Sequence, residues 1–373
     1  MSHEQLKKSI VVCSNYAWTI FNFRLGLIRR LKSRGYKVVV LTQFDGFEKE
    51  IASEVDEIEP LFISRKGINP FVDLLTILDI SRCLIRHRAH ILLSFTIKPV
   101  IYGSIAARMT NVCSVAMITG LGTAFIATNW LTVIVRKLYA FALSSASAVF
   151  FQNNDDKELF VENNLVNPLI CEITPGSGLD IKKYPYVSYN TSGELAVLLV
   201  ARLLWDKGIK EFVDAARALK SRFPEVQFQL LGPMGVENRT SIPERAIQKW
   251  VREGAIRYLG ETKDVKPYIE KACCVVLPSY REGTSRVLLE AAAIGRPLIA
   301  TNVTGCKEII VDGVTGYLCE PRNHSSLAGK IEQMLLMEPD ERRIMGVKGR
   351  AKVELEYDQE IVFESYIKMI ELL

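Results

Sequence analysis

Short apolar segments of strand length alternate with helical segments along the whole chain, and this alternation restricts the fold more than any other feature. Helical periodicity fills the intervals, as in 21–34 and 71–88. Strands that alternate with helices predict an α/β fold with two doubly wound parallel sheets. The predicted strands cover 9–13, 37–41, 60–63, 90–93, 112–118 and 148–151, and then 195–200, 226–231, 256–258, 273–277 and 297–300.

A polar, turn-rich stretch at 174–193 interrupts the alternation halfway along the 373 residues. It contains Pro175-Gly176-Ser177-Gly178, a typical turn composition. We therefore predict one Rossmann-like domain at 1–178, a second at 190–355 and a terminal helix at 356–373. Ligands of such sheets bind at the carboxyl ends of the strands, so site residues are expected in the loops that follow them.

The cysteines and the termini indicate a cytoplasmic protein. Eight cysteines are scattered without a Cys-x-x-Cys pair, and most lie in apolar runs, so we expect reduced thiols. The N-terminus lacks the apolar run of a signal peptide. The nearest candidate for a membrane span, 124–143, is interrupted by Arg136-Lys137.

The positive charge is concentrated in two acid-free groups. Residues 81–154 contain seven Lys or Arg and no acid, and a second group runs from Arg24 to Lys37. A one-signed face suits a phosphate-bearing partner or an anionic membrane surface, although ordinary solvated helix faces would give the same pattern. Nucleic acid is not expected, because no aromatic-basic interleaving accompanies the charge. The apolar stretch 125–139, with its Trp, Tyr and basic pair, fits either membrane docking or a buried helix.

The segment 278–285 follows a buried strand and precedes a predicted helix from Arg286 to Ile294. Thr284 or Ser285 is available as N-cap and Gly295 as the C-terminal stop. A strand, a glycine-bearing loop and a helix N-terminus form an anion-binding geometry, because unpaired amides and the positive end of the helix dipole point outward.

Two carboxylates, Glu282 and Glu290, stand eight residues apart around this helix start. The separation would be roughly 12 Å if the helix extended back to Glu282, which is about the span of the hydroxyls at the two ends of a sugar nucleotide. The spacing alone favours a loop glutamate and a helix-face glutamate in a salt bridge, and only the surrounding residues reverse that interpretation.

The residues around the two carboxylates resemble the signature of the family 4 retaining glycosyltransferases, two-domain enzymes of the GT-B type. The residues from Arg281 to Arg286 are most similar to those of family members that build bacterial capsule, O-antigen or lipid-diphosphate oligosaccharides. The resemblance implies a nucleotide-sugar site in the second domain, a cleft facing the first domain, and a last helix that crosses back to the first domain. It rests on 278–291, 295–297, 305–308 and 312–317.

Arg202 and Lys207 follow the first strand of the second domain, five residues apart. Two cations at a strand end can pair with a leaving diphosphate, whereas a surface Arg and Lys near a helix start would be mildly disfavoured by the dipole. The match to the family's Arg-x4-Lys motif implies that both neutralise the diphosphate, so we predict Arg202, Lys207 and Glu282 as catalytic residues.

The resemblance also implies the remaining donor contacts. Glu282 would hold hydroxyls of the donor hexose, and Glu290 would hold the ribose hydroxyls. The amides of Gly283, Thr284 and Ser285 would meet phosphate or sugar oxygens, and Gly232 would lie near the nucleotide. No Asp-x-Asp pair occurs, so we expect transfer without a metal and without a cofactor other than the nucleotide-sugar donor.

The first domain should bind the acceptor. Its first loop lacks the glycine pair of many relatives and carries Asn15 and Arg24 among aromatic residues, which suits an amphiphilic acceptor or a packed aromatic cluster. Lys98 lies at another strand end, and Thr119 lies in the loop where many relatives carry a histidine. None of the four histidines falls in that loop, so no general base is visible, and the leaving phosphate would accept the acceptor's proton.

These features predict a cytoplasmic or peripherally membrane-bound enzyme. It would transfer a hexose or N-acetylhexosamine from a UDP-sugar to a polyprenyl-diphosphate glycan, with retention of configuration. The alternatives are a UDP-sugar 2-epimerase on the same fold, for which no additional acid/base carboxylates are visible, a non-catalytic nucleotide-sugar sensor, and transfer to a soluble acceptor.

Overall fold

The computed structural model describes residues 8–64, 69–120, 130–188, 195–236, 238 and 240–373. These residues form two compact units. Unit 1 comprises Met1–Gly178 and Gln359–Leu373, and unit 2 comprises Leu179–Asp358. Within the described ranges, no helix combines the length and the apolar character needed to cross a membrane.

Unit 1 contains a seven-stranded sheet in the order β3-β2-β1-β4-β5-β6-β7, counted over the described residues. All the strand pairs are parallel. The strands are β1 (Ser9–Ser14), β2 (Lys37–Thr42), β3 (Glu57–Pro60), β4 (Ala89–Phe95), β5 (Cys113–Ile118), β6 (Ala148–Phe151) and β7 (Cys171–Ile173). The helices are α1 (Ala17–Phe23), α2 (Leu25–Ser33), α3 (Glu48–Ala52), α4 (Pro70–Arg86), α5 (Ile97–Thr110), α6 (Trp130–Leu143) and α7 (Asn154–Glu162).

The central strands are buried on both faces, as their nearly continuous Val, Ile and Leu runs predict. One face packs Val11 and Leu92 against α4, α5, α6 and α7. The other face packs Val12 and Leu93 against α1, α2 and α3. This two-sided cover is the doubly wound arrangement predicted from the alternation of strands and helices.

Unit 2 contains a six-stranded sheet in the order β10-β9-β8-β11-β12-β13 over the described residues, again with parallel pairs. Helices α8, α9 and α12 cover one face, and α10, α11 and α13 the other. The strands are β8 (Ala196–Val200), β9 (Gln227–Leu231), β10 (Arg257–Tyr258), β11 (Cys274–Leu277), β12 (Leu298–Thr301) and β13 (Gly316–Cys319). The helices are α8 (Ile209–Leu219), α9 (Glu244–Arg252), α10 (Lys266–Lys271), α11 (Arg286–Ile294), α12 (His324–Leu336) and α13 (Pro339–Glu356).

The last helix, α14 (Gln359–Leu372), returns to unit 1 as the GT-B expectation requires. Its side chains Phe363, Tyr366 and Ile370 are buried in the core that also contains β1 and β4. Gly26 of α2 allows this close packing, because a Cβ there would lie 2.4 Å from the Phe363 ring. The last helix of the chain therefore forms part of the core of unit 1.

The basic group 24–37 does not form the one-signed face that its sequence suggests. Arg29 pairs with Glu54, Arg30 with Glu360, and Arg34 with Glu371 at 3.0 Å. Lys32 and Lys37 pair with Asp56 and Glu57, and Arg24 is buried. Acids of the segment 54–57 and of α14 pair with these cations, so an interpretation of this group as a free anion-binding face is wrong.

Substitutions at Tyr366 test how α14 packs in the core of unit 1. Its ring centroid lies 4.5 Å from that of Phe150, and its buried hydroxyl has no hydrogen-bond partner among the described residues. Tyr366→Phe should leave the free energy of unfolding unchanged or raise it by up to about 1 kcal/mol, since an unpaired polar group is removed. Tyr366→Ala should lower it by roughly 3–5 kcal/mol because a cavity forms.

Urea unfolding monitored by circular dichroism would compare the two Tyr366 variants with the unmodified chain. A loss of more than about 1 kcal/mol in Tyr366→Phe would show that the hydroxyl has a partner and contradict this account.

Candidate functional site

The candidate site of unit 2 lies where the strand order reverses. The chain proceeds from β8 to β9 and β10 on one side, and then to β11, β12 and β13 on the other. The loops after β8 and β11 therefore leave the sheet next to each other at its carboxyl edge, which is the usual ligand position in such folds. These are the loops that carry Arg202, Lys207 and Glu282.

Lys207 and Glu282 form an ion pair across the two loops. The Lys207 Nζ lies 2.5 Å from Glu282 Oε1, and both side chains are mostly buried, with exposed fractions of 18% and 14%. Lys207 ends a short 3₁₀ helix, Trp205–Lys207, directly before α8. The structure thus brings together two predicted catalytic residues that are distant in sequence.

Backbone contacts fix the two loops against each other. The Tyr280 N–H donates to Asp206 O at 2.9 Å, and the Ser279 hydroxyl donates to the same oxygen at 3.2 Å. Gly208 has a φ of +68°, and a Cβ at this position would lie 1.9 Å from Pro278 O. A residue with a side chain would force the loops apart, so glycine is required here.

Arg202 is exposed at the carboxyl end of β8. Its guanidinium makes no hydrogen bond or ion pair with any residue that the structure describes. Because Lys207 is already paired with Glu282, Arg202 is the cation of the predicted pair that can meet an incoming anion without first breaking an ion pair.

The loop before α11 is held by the loop after β12. Glu282 N–H donates to Thr304 O at 3.0 Å, and Ser285 N–H donates to Gly305 O at 2.9 Å. The Ser285 amide thus donates within the protein in this structure, and its contact with a ligand oxygen stays a prediction. Helix α11 begins at Arg286 with Ser285 as N-cap and ends at Gly295, as predicted. Glu282 therefore lies in the loop before the helix. The separation of roughly 12 Å between Glu282 and Glu290 assumed a helix that extends back to Glu282, so that estimate does not apply.

Glu290 is buried on the first turns of α11. Its Oε1 accepts hydrogen bonds from the Tyr184 hydroxyl at 2.8 Å and from Arg286 Nε at 2.9 Å. Burial, and then the neighbouring Glu290 carboxylate, raises the pKa of Tyr184 above its ordinary value, so the hydroxyl remains a donor. A carboxylate has about four acceptor positions. Glu290 therefore keeps capacity to accept hydroxyls of a ligand while its orientation is fixed.

Gly232 connects the loops after β9 and β8. Its φ is +149°, and a Cβ would lie 1.8 Å from Ala201 O. Leu203 N–H donates to Pro233 O, which joins the same two loops. Gly232 thus allows the β9 loop to lie on the segment that carries Arg202.

In unit 1, Asn15 and Arg24 flank helix α1. Asn15 Oδ1 is buried without a hydrogen-bond partner among the described residues, so it can accept from a ligand. Arg24 is buried, and its guanidinium carbon lies 4.1 Å from the centroid of the Phe95 ring. Trp18 packs edge-to-face on Phe23 at 5.5 Å, so part of this loop is the packed aromatic cluster that the sequence left as an alternative.

Lys98 begins α5 at the carboxyl end of β4. Its Nζ lies 2.9 Å from Asp73 Oδ1 of α4, so the lone charge of the sequence has a partner in space. Thr96, two residues before it, has a φ of 72°, which is a strained conformation for a residue with a side chain. Thr119 is half-buried directly after β5. All four predicted acceptor residues lie at the carboxyl edge of this sheet.

Two residues that orient the predicted site side chains were not predicted from sequence patterns. Tyr184, which binds Glu290, lies in the turn-rich stretch that we interpreted only as a hinge. Asp73, which binds Lys98, lies in the first turn of α4, near the start of the predicted helical pattern. Neither has a local motif. Their roles follow from contacts that span 106 and 25 residues.

A separate cluster of Glu59, Cys83 and His87 places possible metal-ligand atoms within 4.8 Å of one another. His87 Nε2 lies 2.7 Å from Glu59 Oε1, and Arg86 pairs with the same carboxylate at 3.0 Å. Burial, and then the nearby Glu59 carboxylate, raises the pKa of the Cys83 thiol to about 12, which disfavours the thiolate that a metal would need. The contacts of Glu59 with His87 and Arg86 account for this group.

Two family models match the chain. Residues 183–352 match the model of "Glycosyl transferases group 1", and residues 10–153 match "Glycosyl transferase 4-like". Together with the two doubly wound sheets and the helix that returns to unit 1, these matches define the class. The chain belongs to the family 4 glycosyltransferases and is a glycosyltransferase of the GT-B type.

The chain is similar over nearly its full length to named enzymes. It is 28% identical to the N,N'-diacetylbacillosaminyl-diphospho-undecaprenol alpha-1,3-N-acetylgalactosaminyltransferase of Campylobacter jejuni, over 94% of this chain and 95% of that protein. It is 24% identical to the capsular polysaccharide biosynthesis glycosyltransferase CapM of Staphylococcus aureus, over 92% of each. The Anabaena HepE structure in complex with UDP and glucose superposes with a TM-score of 0.80 at 18% identity, covering 98% of this chain and 99% of that one.

Gly232 and Gly235 give a matched pair for testing the loop geometry. Both have positive φ, but a Cβ at Gly235 would meet nothing within 4 Å, whereas one at Gly232 would overlap Ala201 O. Gly235→Ala should cost only the roughly 1–2 kcal/mol of the left-handed backbone. Gly232→Ala should cost more and should lower the thermal midpoint by several further degrees. Equal midpoints in differential scanning calorimetry would contradict this geometry.

Proposed function

We propose that the chain transfers a hexose or N-acetylhexosamine from a UDP-sugar to a glycan carried on a polyprenyl diphosphate, with retention of configuration and without a metal. The observation that carries the proposal is the Lys207–Glu282 ion pair at the reversal point of the sheet, formed by the loop that also carries Arg202 and the loop that precedes α11. This arrangement supplies cations for a diphosphate and carboxylates for sugar hydroxyls.

A residue of the site can then be assigned to each expected contact with the nucleotide-sugar donor. The diphosphate lies against Arg202 and Lys207, which offset the negative charge that grows as the bond between sugar C1 and the phosphate oxygen breaks. Glu282 accepts hydroxyls of the hexose, and Glu290, oriented by Tyr184 and Arg286, accepts the ribose hydroxyls. The Lys207–Glu282 ion pair orients both side chains before the donor arrives.

The transfer step balances without a base from the protein. The acceptor hydroxyl oxygen forms a bond to C1 on the face from which the diphosphate departs. Its proton passes to an oxygen of the departing phosphate, so one C–O bond forms, one breaks, and a nucleoside diphosphate leaves. The cationic side chains remain on the same diphosphate throughout, and no metal is needed to stabilise its charge.

The similar proteins support the donor and acceptor classes. The Campylobacter enzyme is named for an alpha linkage and for a diphospho-undecaprenol acceptor. An alpha product from an alpha-linked nucleotide sugar corresponds to retention. The Anabaena HepE complex contains UDP and glucose. We therefore place UDP-N-acetylhexosamines and UDP-glucose first among the donors, a bacterial lipid-linked glycan as acceptor, and the enzyme at the cytoplasmic face of the membrane.

Removal of either cation should slow the reaction. Arg202→Ala and Lys207→Ala should each lower kcat by about 10²–10³-fold, because each removes a group that stabilises the leaving diphosphate. The double variant should lose less than the product of the two effects, since both groups act on one charge. Lys220→Ala, at an exposed position of the same unit, is the control and should retain full activity. A double variant with fully multiplicative losses would contradict the shared role.

The donor and acceptor are tested with radiolabelled UDP- and GDP-sugars, EDTA, and a membrane extract that contains polyprenyl-diphosphate glycans. Label from one UDP-sugar should enter the organic phase, and Glu282→Ala should abolish the transfer while the exposed control Glu225→Ala retains it. Conversion of UDP-N-acetylglucosamine into another sugar without lipid labelling would favour a 2-epimerase. Binding of a nucleotide sugar without any turnover would favour a sensor.

A further inference from the structure

The outer surface of helices α4, α5 and α6 is apolar and positively charged. The inner sides of all three helices pack on the same face of the unit 1 sheet, through Ile80 and Leu84 of α4, Val100 and Ala107 of α5, and Tyr139 and Leu143 of α6. The three helices therefore form one layer with a common outer side. We refer to this outer side as the α4–α6 surface.

Helix α4 exposes apolar side chains where a surface helix usually exposes polar ones. Phe71, Leu74, Leu75 and Ile85 are exposed, Phe71 by 79% and Ile85 by 67%. Their spacing, with Arg82 between them, places them along one side of the helix. The opposite side is also apolar, because Ile80, Cys83 and Leu84 fill the core. A helix that is apolar on both sides needs a second apolar environment beyond the core.

The pattern continues on the neighbouring helices. Met109 near the end of α5 is 63% exposed, and Val133, Ile134 and Phe141 of α6 are exposed as well. The guanidinium carbon of Arg108 lies 5.5 Å from the centroid of the Phe141 ring, which joins the end of α5 to α6. Exposed apolar side chains therefore occur on all three helices, and those of α6 lie next to the exposed end of α5.

The charges among these apolar side chains are positive. Arg82, Arg108 and Lys137 are exposed on the three helices, and residues 80–154 contain no acid. Asp73 of α4 is buried and pairs with Lys98, and Asp79 accepts a hydrogen bond from Phe62 N–H. The cations of α2, by contrast, pair with acids, such as Arg29 with Glu54 and Arg30 with Glu360 of α14. On the α4–α6 surface, Arg82 and Lys137 have no acidic partner among the described residues.

We propose that the α4–α6 surface docks on an anionic phospholipid bilayer. Phe and Leu side chains enter the boundary between headgroups and acyl chains, while Arg and Lys side chains reach the lipid phosphates. The charge argues against a second copy as the occupant, because two such surfaces would bring cations together. This proposal rests on the proposed lipid-linked acceptor, since docking through unit 1 brings its acceptor residues to the surface where that lipid resides.

The test uses sedimentation of the full chain with vesicles. Vesicles of phosphatidylcholine alone are compared with vesicles of equal parts phosphatidylcholine and phosphatidylglycerol, at low and high salt. The apolar variant combines Phe71→Ser with Leu75→Ser, and the charge variant combines Arg82→Ser with Lys137→Ser. The controls are Leu355→Ser and Lys348→Ser, at exposed positions of unit 2. Thermal midpoints verify that each variant is folded.

We expect the unmodified chain to bind the anionic vesicles more tightly than the neutral ones, and less tightly at high salt. The charge variant should lose about 5-fold in partition coefficient for each cation removed. The apolar variant should lose at least about 10-fold on both vesicle types. Both controls should bind like the unmodified chain. Absence of binding by the unmodified chain, or equal binding by the four variants, would overturn the proposal.

Two further measurements separate this surface from the proposed transferase activity and from self-association. The folded variants should transfer sugar to a water-soluble, short-chain polyprenyl-diphosphate acceptor at the normal rate, and should be slowed only with the acceptor in vesicles. If the unmodified chain fails on the soluble acceptor as well, the proposed function fails, while the vesicle result still decides docking. If sedimentation velocity shows that Phe71→Ser with Leu75→Ser converts a dimer into a monomer, the surface is a self-association interface and the proposal is wrong.

Discussion

The parallel pairing of β8 with β11 is the constraint on which the candidate site of unit 2 depends. Val197 lies beside Cys274, and Leu198 beside Val275. Because both strands run in the same direction, their loops leave the sheet side by side, although Lys207 and Glu282 are 75 residues apart. An ion pair between mobile loops would have to order two long side chains. Here the loops are already fixed by glycines and backbone hydrogen bonds, so the pair needs little further ordering.

The central strands could be predicted from the sequence, whereas three of the four edge strands of the described sheets could not; the exception is β10 (Arg257–Tyr258), which was predicted at 256–258. Strands β1, β2, β4 and β8 match the apolar runs to within a few residues, because they are buried on both faces. The run 60–63 was placed too late, since β3 is Glu57–Pro60, and β7 and β13 were not predicted at all. All three lie at the edge of a sheet. Edge strands are short and tolerate polar residues and proline, so they lack the apolar signal.

The same distinction holds for the site. Arg202, Lys207, Glu282 and Glu290 could be identified because each belongs to a short segment with a recognisable spacing. Tyr184 and Gly305 could not, because their roles arise where distant segments meet. A Cβ on Gly305 would lie 2.5 Å from Glu282 O, yet nothing near Gly305 in the sequence indicates that contact. Sequence patterns predicted which residues would contact a ligand, and the structure was needed to find those that orient them.

The two acid-free groups show why a charge run alone does not define a surface. In sequence, 24–37 and 81–154 look alike, since each contains several cations and no acid. In the structure, α14 brings Glu360, Glu364 and Glu371 to the cations of α2. No such acidic helix covers α4, α5 and α6 among the described residues, and their exposed side chains are apolar between the cations. A helix from the far end of the chain, together with the acids at 54–57, thus neutralises one group, and the other group remains available for an anionic partner.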